Sequence, residues 1–124
     1  MINRLPQDVI FEESYVLEIR IEPYVLLLEM VFALASDHPD YVAPKENERL
    51  CLKKGRIRIQ DFQRLVWTSF GIKPGSDLTG EIDYGNLDGI RCVEDTWHLE
   101  GDWGIIECKG QMSLEFGTAV TLRC

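Results

Sequence analysis

Residues 14–34 read SYVLEIRIEPYVLLLEMVFAL, and this stretch decides the fold. In its first part Tyr15, Leu17, Ile19 and Ile21 alternate with Val16, Glu18 and Arg20. After Glu22-Pro23 the set Tyr24, Leu26, Leu28, Met30, Phe32 and Leu34 continues the alternation. Successive side chains of a strand point to opposite faces, so a period of two lines one face with large apolar groups. The stretch therefore predicts two strands, Ser14–Ile21 and Tyr24–Leu34, with Leu26, Leu28, Met30 and Phe32 as core anchors and Glu29 on the wetter face. Glu22-Pro23 is a two-residue hairpin candidate, although proline does not suit a primed turn and leaves room for a longer loop.

Outward from this hairpin, period two recurs. Met1–Glu13 is a lead-in in which Val9, Ile10 and Phe11 can fold back on the core. Ala35–Glu48, with Pro39 and Pro44, reads as a surface loop. Arg49–Ile59 resumes strand character, and its apolar set moves from Leu50 and Leu52 to Ile57 and Ile59, which predicts a bulge or turn at Gly55. Asp61–Phe70 carries both strand propensity and one short helical spacing (Phe62, Leu65, Val66); the strand is preferred. Gly71–Gly80 reads as a loop. Beyond it a meander is expected: Ile90–Val93, a turn at Glu94-Asp95, Thr96–Leu99, a turn at Gly101-Asp102, Trp103–Cys108, a turn at Lys109-Gly110, then the alternations ending at Phe116 and Leu122. The fold class is mainly β: one domain over 1–124, built as an antiparallel sheet, sandwich or partly rolled barrel with at most one or two short helices.

Composition narrows the function. The 124 residues hold 13 Lys and Arg against 21 Asp and Glu, a net charge of −8. That balance disfavours binding to phosphate backbones and favours basic partners. The segment Met1–Gln7 is unlike a secretory leader, and apolar runs such as Tyr24–Leu28 are too short to cross a bilayer. A cytoplasmic protein without nucleic-acid or membrane partners is expected. Apolar residues make up 45%, enough for a core without staples. The four cysteines, Cys51, Cys92, Cys108 and Cys124, form no Cys-x-x-Cys pair; Cys51, Cys92 and Cys108 are expected as core thiols and Cys124, the last residue, as exposed, with no disulfide and no metal.

No catalytic constellation stands out. There is no Gly-x-Ser-x-Gly elbow and no cysteine with an evident histidine partner. His98, between Trp97 and Leu99, suits a half-exposed strand position. Asp37, His38 and Asp40 could chemically hold a divalent ion, but such residue types meet in loops by chance. The stretch Asp83–Gly89 does not match a calcium loop and reads as a turn. No catalytic residue, metal or cofactor is assigned.

Charge is uneven. Residues 45–64 carry seven bases and three acids, net +4, which leaves −12 on the rest. Lys54, Arg56 and Arg58 would share a strand face, either as a solvated surface balanced by cross-strand acids or as an anion-binding strip. Near the end, Glu94, Asp95, Glu100 and Asp102 stand close to two tryptophans. The candidate binding residues are Trp97, Glu100, Asp102 and Trp103, with Trp103 in the Gly101–Gly104 loop as either an exposed indole or a core residue.

The hairpin Tyr15–Leu34, the segment Gly55-Arg56-Ile57-Arg58-Ile59-Gln60-Asp61-Phe62 and the segment Leu99-Glu100-Gly101-Asp102-Trp103-Gly104 together resemble small β-rich immunity proteins of bacterial polymorphic toxin systems. The resemblance covers roughly residues 14–116 and rests on patterns, so it assigns no residue a role. It implies a non-catalytic acidic protein-binding module whose partner is a basic toxin. The alternatives are a small-ligand binder or enzyme using the interior of a rolled sheet, and a structural subunit such as a homodimer.

Overall fold

The computed structural model describes residues 6–68, 75–76, 82–83, 85–116 and 119–122, with backbone alone at 75–76, 82–83 and 119–120. They form nine strands and no helix: β1 (Val9–Glu22), β2 (Val25–Leu34), β3 (Cys51–Thr68), β4 (Gly75–Ser76), β5 (Ile82–Asp83), β6 (Gly85–Val93), β7 (Thr96–Gly101), β8 (Gly104–Glu115) and β9 (Ala119–Leu122). The main sheet runs β3-β2-β1-β6-β7-β8-β9, and β8 also pairs with β3. Six antiparallel strands thus close into a barrel, with β9 added to the edge of β8. β4 and β5 pair separately. The mainly β, partly rolled barrel expected from the alternation is the fold observed. Most of the predicted loop Gly71–Gly80 and the terminal Cys124 lie outside the described residues.

A six-stranded barrel is too narrow for a lumen and is filled by side chains. β2 supplies the largest share: Leu26, Leu28, Met30, Phe32 and Leu34 all point inward and are buried. Ile57 and Ile59 of β3, Trp97 and Leu99 of β7, and Ile106, Cys108, Met112 and Leu114 of β8 belong to the same cluster, as do Val9, Phe11 and Val16 of β1 and Leu87 of β6.

β1 departs from the expected face. Val9, Phe11, Ser14 and Val16 are its buried residues, whereas Tyr15 and Leu17 are only half-buried. Two register shifts against β2 cause this, one between Ile10 and Tyr15 and one between Val16 and Glu18. After the second, Ile19 packs against the core again, but Ile21 sits at the barrel rim, half exposed. Tyr24, expected to continue the apolar face, is 70% exposed. It occupies the turn itself: Glu22 pairs with Val25, so the loop is only Pro23-Tyr24. Proline followed by the positive φ of Tyr24 (65°) matches the order of a type II turn, which explains how a two-residue loop accommodates proline. The Asp61 N–H donates to the Tyr24 carbonyl (2.8 Å) and ties the turn to β3.

Two glycines lie inside strands where breaks are expected. No bulge or turn lies at Gly55, because β3 pairs with β2 without interruption from Cys51 to Gln60. The residue is small because an added Cβ would run into the Glu115 backbone carbonyl on the neighbouring strand, and would stand 3.0 Å from the Phe32 ring. Leu50 and Leu52 simply lie outside the core, and Leu52 is exposed. Nor do Lys109-Gly110 form a turn, for β8 runs through them. There a Cβ would stand 3.0 Å from the Cα of Phe62. The Asp61–Thr68 segment is strand, as preferred, and Glu94-Asp95 is a turn with positive φ at both residues, the signature of a type I′ hairpin.

The cysteine expectation needs one correction. Cys108 is a buried core thiol, its pKa pushed up to about 12 by burial. Cys51 is also free and half-buried. Cys92, however, is disulfide-bonded. The absence of a Cys-x-x-Cys pair bears on metal sites and local redox motifs and says nothing about bridges between distant segments.

Candidate functional site

The sequence singled out Trp97, Glu100, Asp102 and Trp103, all from β7 and the turn that follows it. β7 alternates strictly: Trp97 and Leu99 point inward, while Glu100 points out. Trp97 is 1% and Trp103 2% exposed, so of the two readings of Trp103 the core residue is the one observed. The Asp102-Trp103 turn folds the second indole back beneath Gly101. An added Cβ at Gly101 would stand 2.5 Å from Trp103 Nε1 and 2.6 Å from the Asn86 carbonyl, so the fold requires glycine there. Trp67 donates its indole N–H to the Trp103 carbonyl (3.0 Å), and the two rings meet edge to face at 6.5 Å. The Trp103 Nε1 is buried without a hydrogen-bond partner, alone in this among the described side chains. The tryptophans therefore support the turn from within, and the polar face above them belongs to carboxylates.

Glu100 and Asp102 remain exposed, and the structure adds a third acid that sequence reading missed, Asp88. The register passes from Leu87↔Gly101 to Gly89↔Glu100, so Asp88 is the extra residue of a β-bulge on β6. The expected turn over Asp83–Gly89 is thus a bulged strand from Gly85 onward. The bulge brings Asp88 beside the other two acids. Its pKa is raised by desolvation, then by the charge of Asp102, then by that of Glu100. Gly85, at φ +88°, lets Asp102 come close: a Cβ there would stand 2.8 Å from Asp102 Oδ2. No one-residue signal in the sequence marks a bulge, although Gly85 and Gly89 flanking Asp88 hinted at irregularity.

The basic strand behaves differently. Arg56 pairs with Glu29 (3.1 Å), Arg58 with Glu115, and Lys53 with Asp40 (3.0 Å); Glu29 also receives Arg20 (3.0 Å). Of the two readings, the solvated face balanced by cross-strand acids fits Arg56 and Arg58. His98 is half-buried on the outer face, as expected. His38 accepts the Asp40 N–H at Nδ1 (3.0 Å) and rests against the Phe116 ring. With Asp40 held by Lys53, the Asp37, His38 and Asp40 loop does not converge on a centre, and no group of three or more metal-ligating side chains is found among the described residues. No helix among the described residues is long and apolar enough to cross a membrane.

Comparison with family models, curated proteins and solved structures finds no match.

Proposed function

We propose that the protein is a non-catalytic acidic protein-binding module of the toxin-neutralising immunity kind, and that it binds a basic partner through the face bearing Asp88, Glu100 and Asp102. The observation that carries this reading is the convergence of Asp102 and Glu100 on Asp88, whose carboxyl is pushed up by desolvation and then by their two charges. A basic side chain from a partner would relieve that repulsion, and the chain's net charge of −8 would steer its approach. The buried indoles of Trp97 and Trp103 contribute rigidity beneath the face and no contact area.

The ligand-binding alternative needs a chamber inside the barrel. The interior is instead filled by Phe32, Met30, Trp97, Leu99 and Ile106, each essentially inaccessible. The reading carries a cytoplasmic location from the composition, but the Cys92 disulfide speaks for an oxidising compartment; a partner-binding role is compatible with either. The test is capture of a partner from the native host, followed by association kinetics. Charge reversal at Glu100 and Asp102 should slow association and flatten its salt dependence. Unchanged kinetics, or recovery of a small molecule from the barrel in place of a protein, would end the proposal.

A further inference from the structure

Five cations of the described chain, Arg20, Arg49, Lys53, Arg56 and Arg58, hold a carboxylate within ion-pair distance. Arg64 and Lys109 hold none among the described residues, and they are direct cross-strand partners in the β3–β8 ladder. Like charges placed opposite each other on one face destabilise a sheet. Lys54 and Arg91 are also without an ion pair, but they are opposed by Val31 and by His98, not by a second Lys or Arg. Among the described residues, the Arg64–Lys109 pair is therefore the place where the sheet sets two cations without an ion pair side by side.

Its position is set by a backbone irregularity. The register passes from Gln60↔Gln111 to Arg64↔Lys109, so residues 61–63 face a single residue, Gly110. Asp61 takes a left-handed φ of 55° there, and the Phe62 backbone closes over Gly110. Without this bulge Arg64 would not fall opposite Lys109. The two cations, with Gln63, Thr96 and Glu107, line a surface concavity of about 390 Å³. It offers two charged donors, an amide and a hydroxyl.

We propose that Arg64 and Lys109 form a binding site for a singly charged oxyanion, a carboxylate or a phosphate diester. An oxyanion between the two cations replaces their repulsion with charge-assisted hydrogen bonds, and the planar guanidinium of Arg64 can hold it in two-point fashion. Glu107 on the same wall leaves one net positive charge, which matches a monoanion better than a dianion. The site is independent of the acidic face and stands or falls without it.

The test is a backbone amide NMR titration of the full chain with sodium acetate and, separately, sodium dimethyl phosphate, at constant ionic strength against chloride. Saturable shifts centred on Arg64, Thr96 and Lys109 are expected with at least one probe, and the probe that saturates names the source. Arg64→Gln and Lys109→Gln should each weaken binding at least fivefold, while Glu107→Gln should tighten it. Arg64→Glu, which turns the pair into opposite charges, should abolish binding and raise Tm. Shifts that do not saturate with either probe, or that are the same in Arg64→Gln, overturn the site; so does a Glu107→Gln variant that binds no tighter.

Discussion

β1 and β2 are the two arms of one hairpin, written in the same alternating code, yet they solve their strands differently. β2 pairs with β3 residue for residue over its whole length; the alternate set from Leu26 to Leu34 fills the barrel, and on the face expected to be wetter Leu27, Val31 and Ala33 are buried as well, leaving only Glu29 half-buried. β1 slips twice against β2 and changes which of its residues face the core. The difference lies in what replaces the ladder. At the first slip the buried Ser14 takes over: its hydroxyl donates to the Ile10 carbonyl (2.8 Å) and accepts from the Ala33 N–H (3.0 Å). A hydroxyl thereby does the work of a backbone group, and the strand bends without orphaning polar atoms. Alternation in sequence thus specifies faces only where the partner strand keeps register.

The strongest way to break this comparison is through β2. Phe32→Ala should cost roughly 3–5 kcal/mol, because the ring is fully buried against Phe11 and Phe116. Urea melts showing a loss below about 0.5 kcal/mol would mean that the regular arm is not the core. Ser14→Ala tests the irregular arm. It strands a buried N–H and a carbonyl, and a loss of about 1–3 kcal/mol is expected; the Ala33 amide should also exchange faster with deuterium. Ile21→Ala, at the rim of β1, should change stability by less than about 0.5 kcal/mol, as exposed positions do, although its neighbours in the alternation belong to the core.

The smallest effect extends the comparison to the bulge on β6. A carboxyl whose folded pKa is raised, as at Asp88, binds its proton more tightly folded than unfolded. Its favourable contribution is present in full below the unfolded pKa and is lost as pH rises through the folded one. Asp88→Asn should therefore raise Tm slightly at neutral pH, and the gain should vanish as pH falls below the carboxylate range. A gain that persists there would show that charge is not its cause.

These cases mark what could be read in advance. β2, the strand over Asp61–Thr68 and the Glu94-Asp95 turn follow from periodicity and turn chemistry, and they carry the fold class. The bulges at residues 11–14, 61–63 and Asp88 do not, since an extra residue alters pairing without altering composition. Glycines at 55 and 110 resembled breaks because their role, room for a ring or a backbone, depends on a distant strand. For the site, Glu100 and Asp102 were legible as exposed acids. Trp97 reads as an inward position of its strand, whereas the burial of Trp103 stays open in the sequence, because nothing local announces that an indole folds beneath Gly101. Asp88 was missed because only the bulge makes it their neighbour.

The closure of the barrel by β3 against β8 also sets a timetable. Its pairs join residues such as Arg56 and Glu115, or Thr68 and Ile105, which lie far apart in the chain. The hairpins β1–β2 and β6–β7 can form early, since each needs only a two-residue turn. Neither buries its apolar face until β8 pairs with β3 across the intervening strands, so the entropy of that closure falls before the reward. Folding should be a single slow event on the millisecond-to-second scale typical of non-local β topologies, with the central tryptophans becoming shielded from solvent only at its last step.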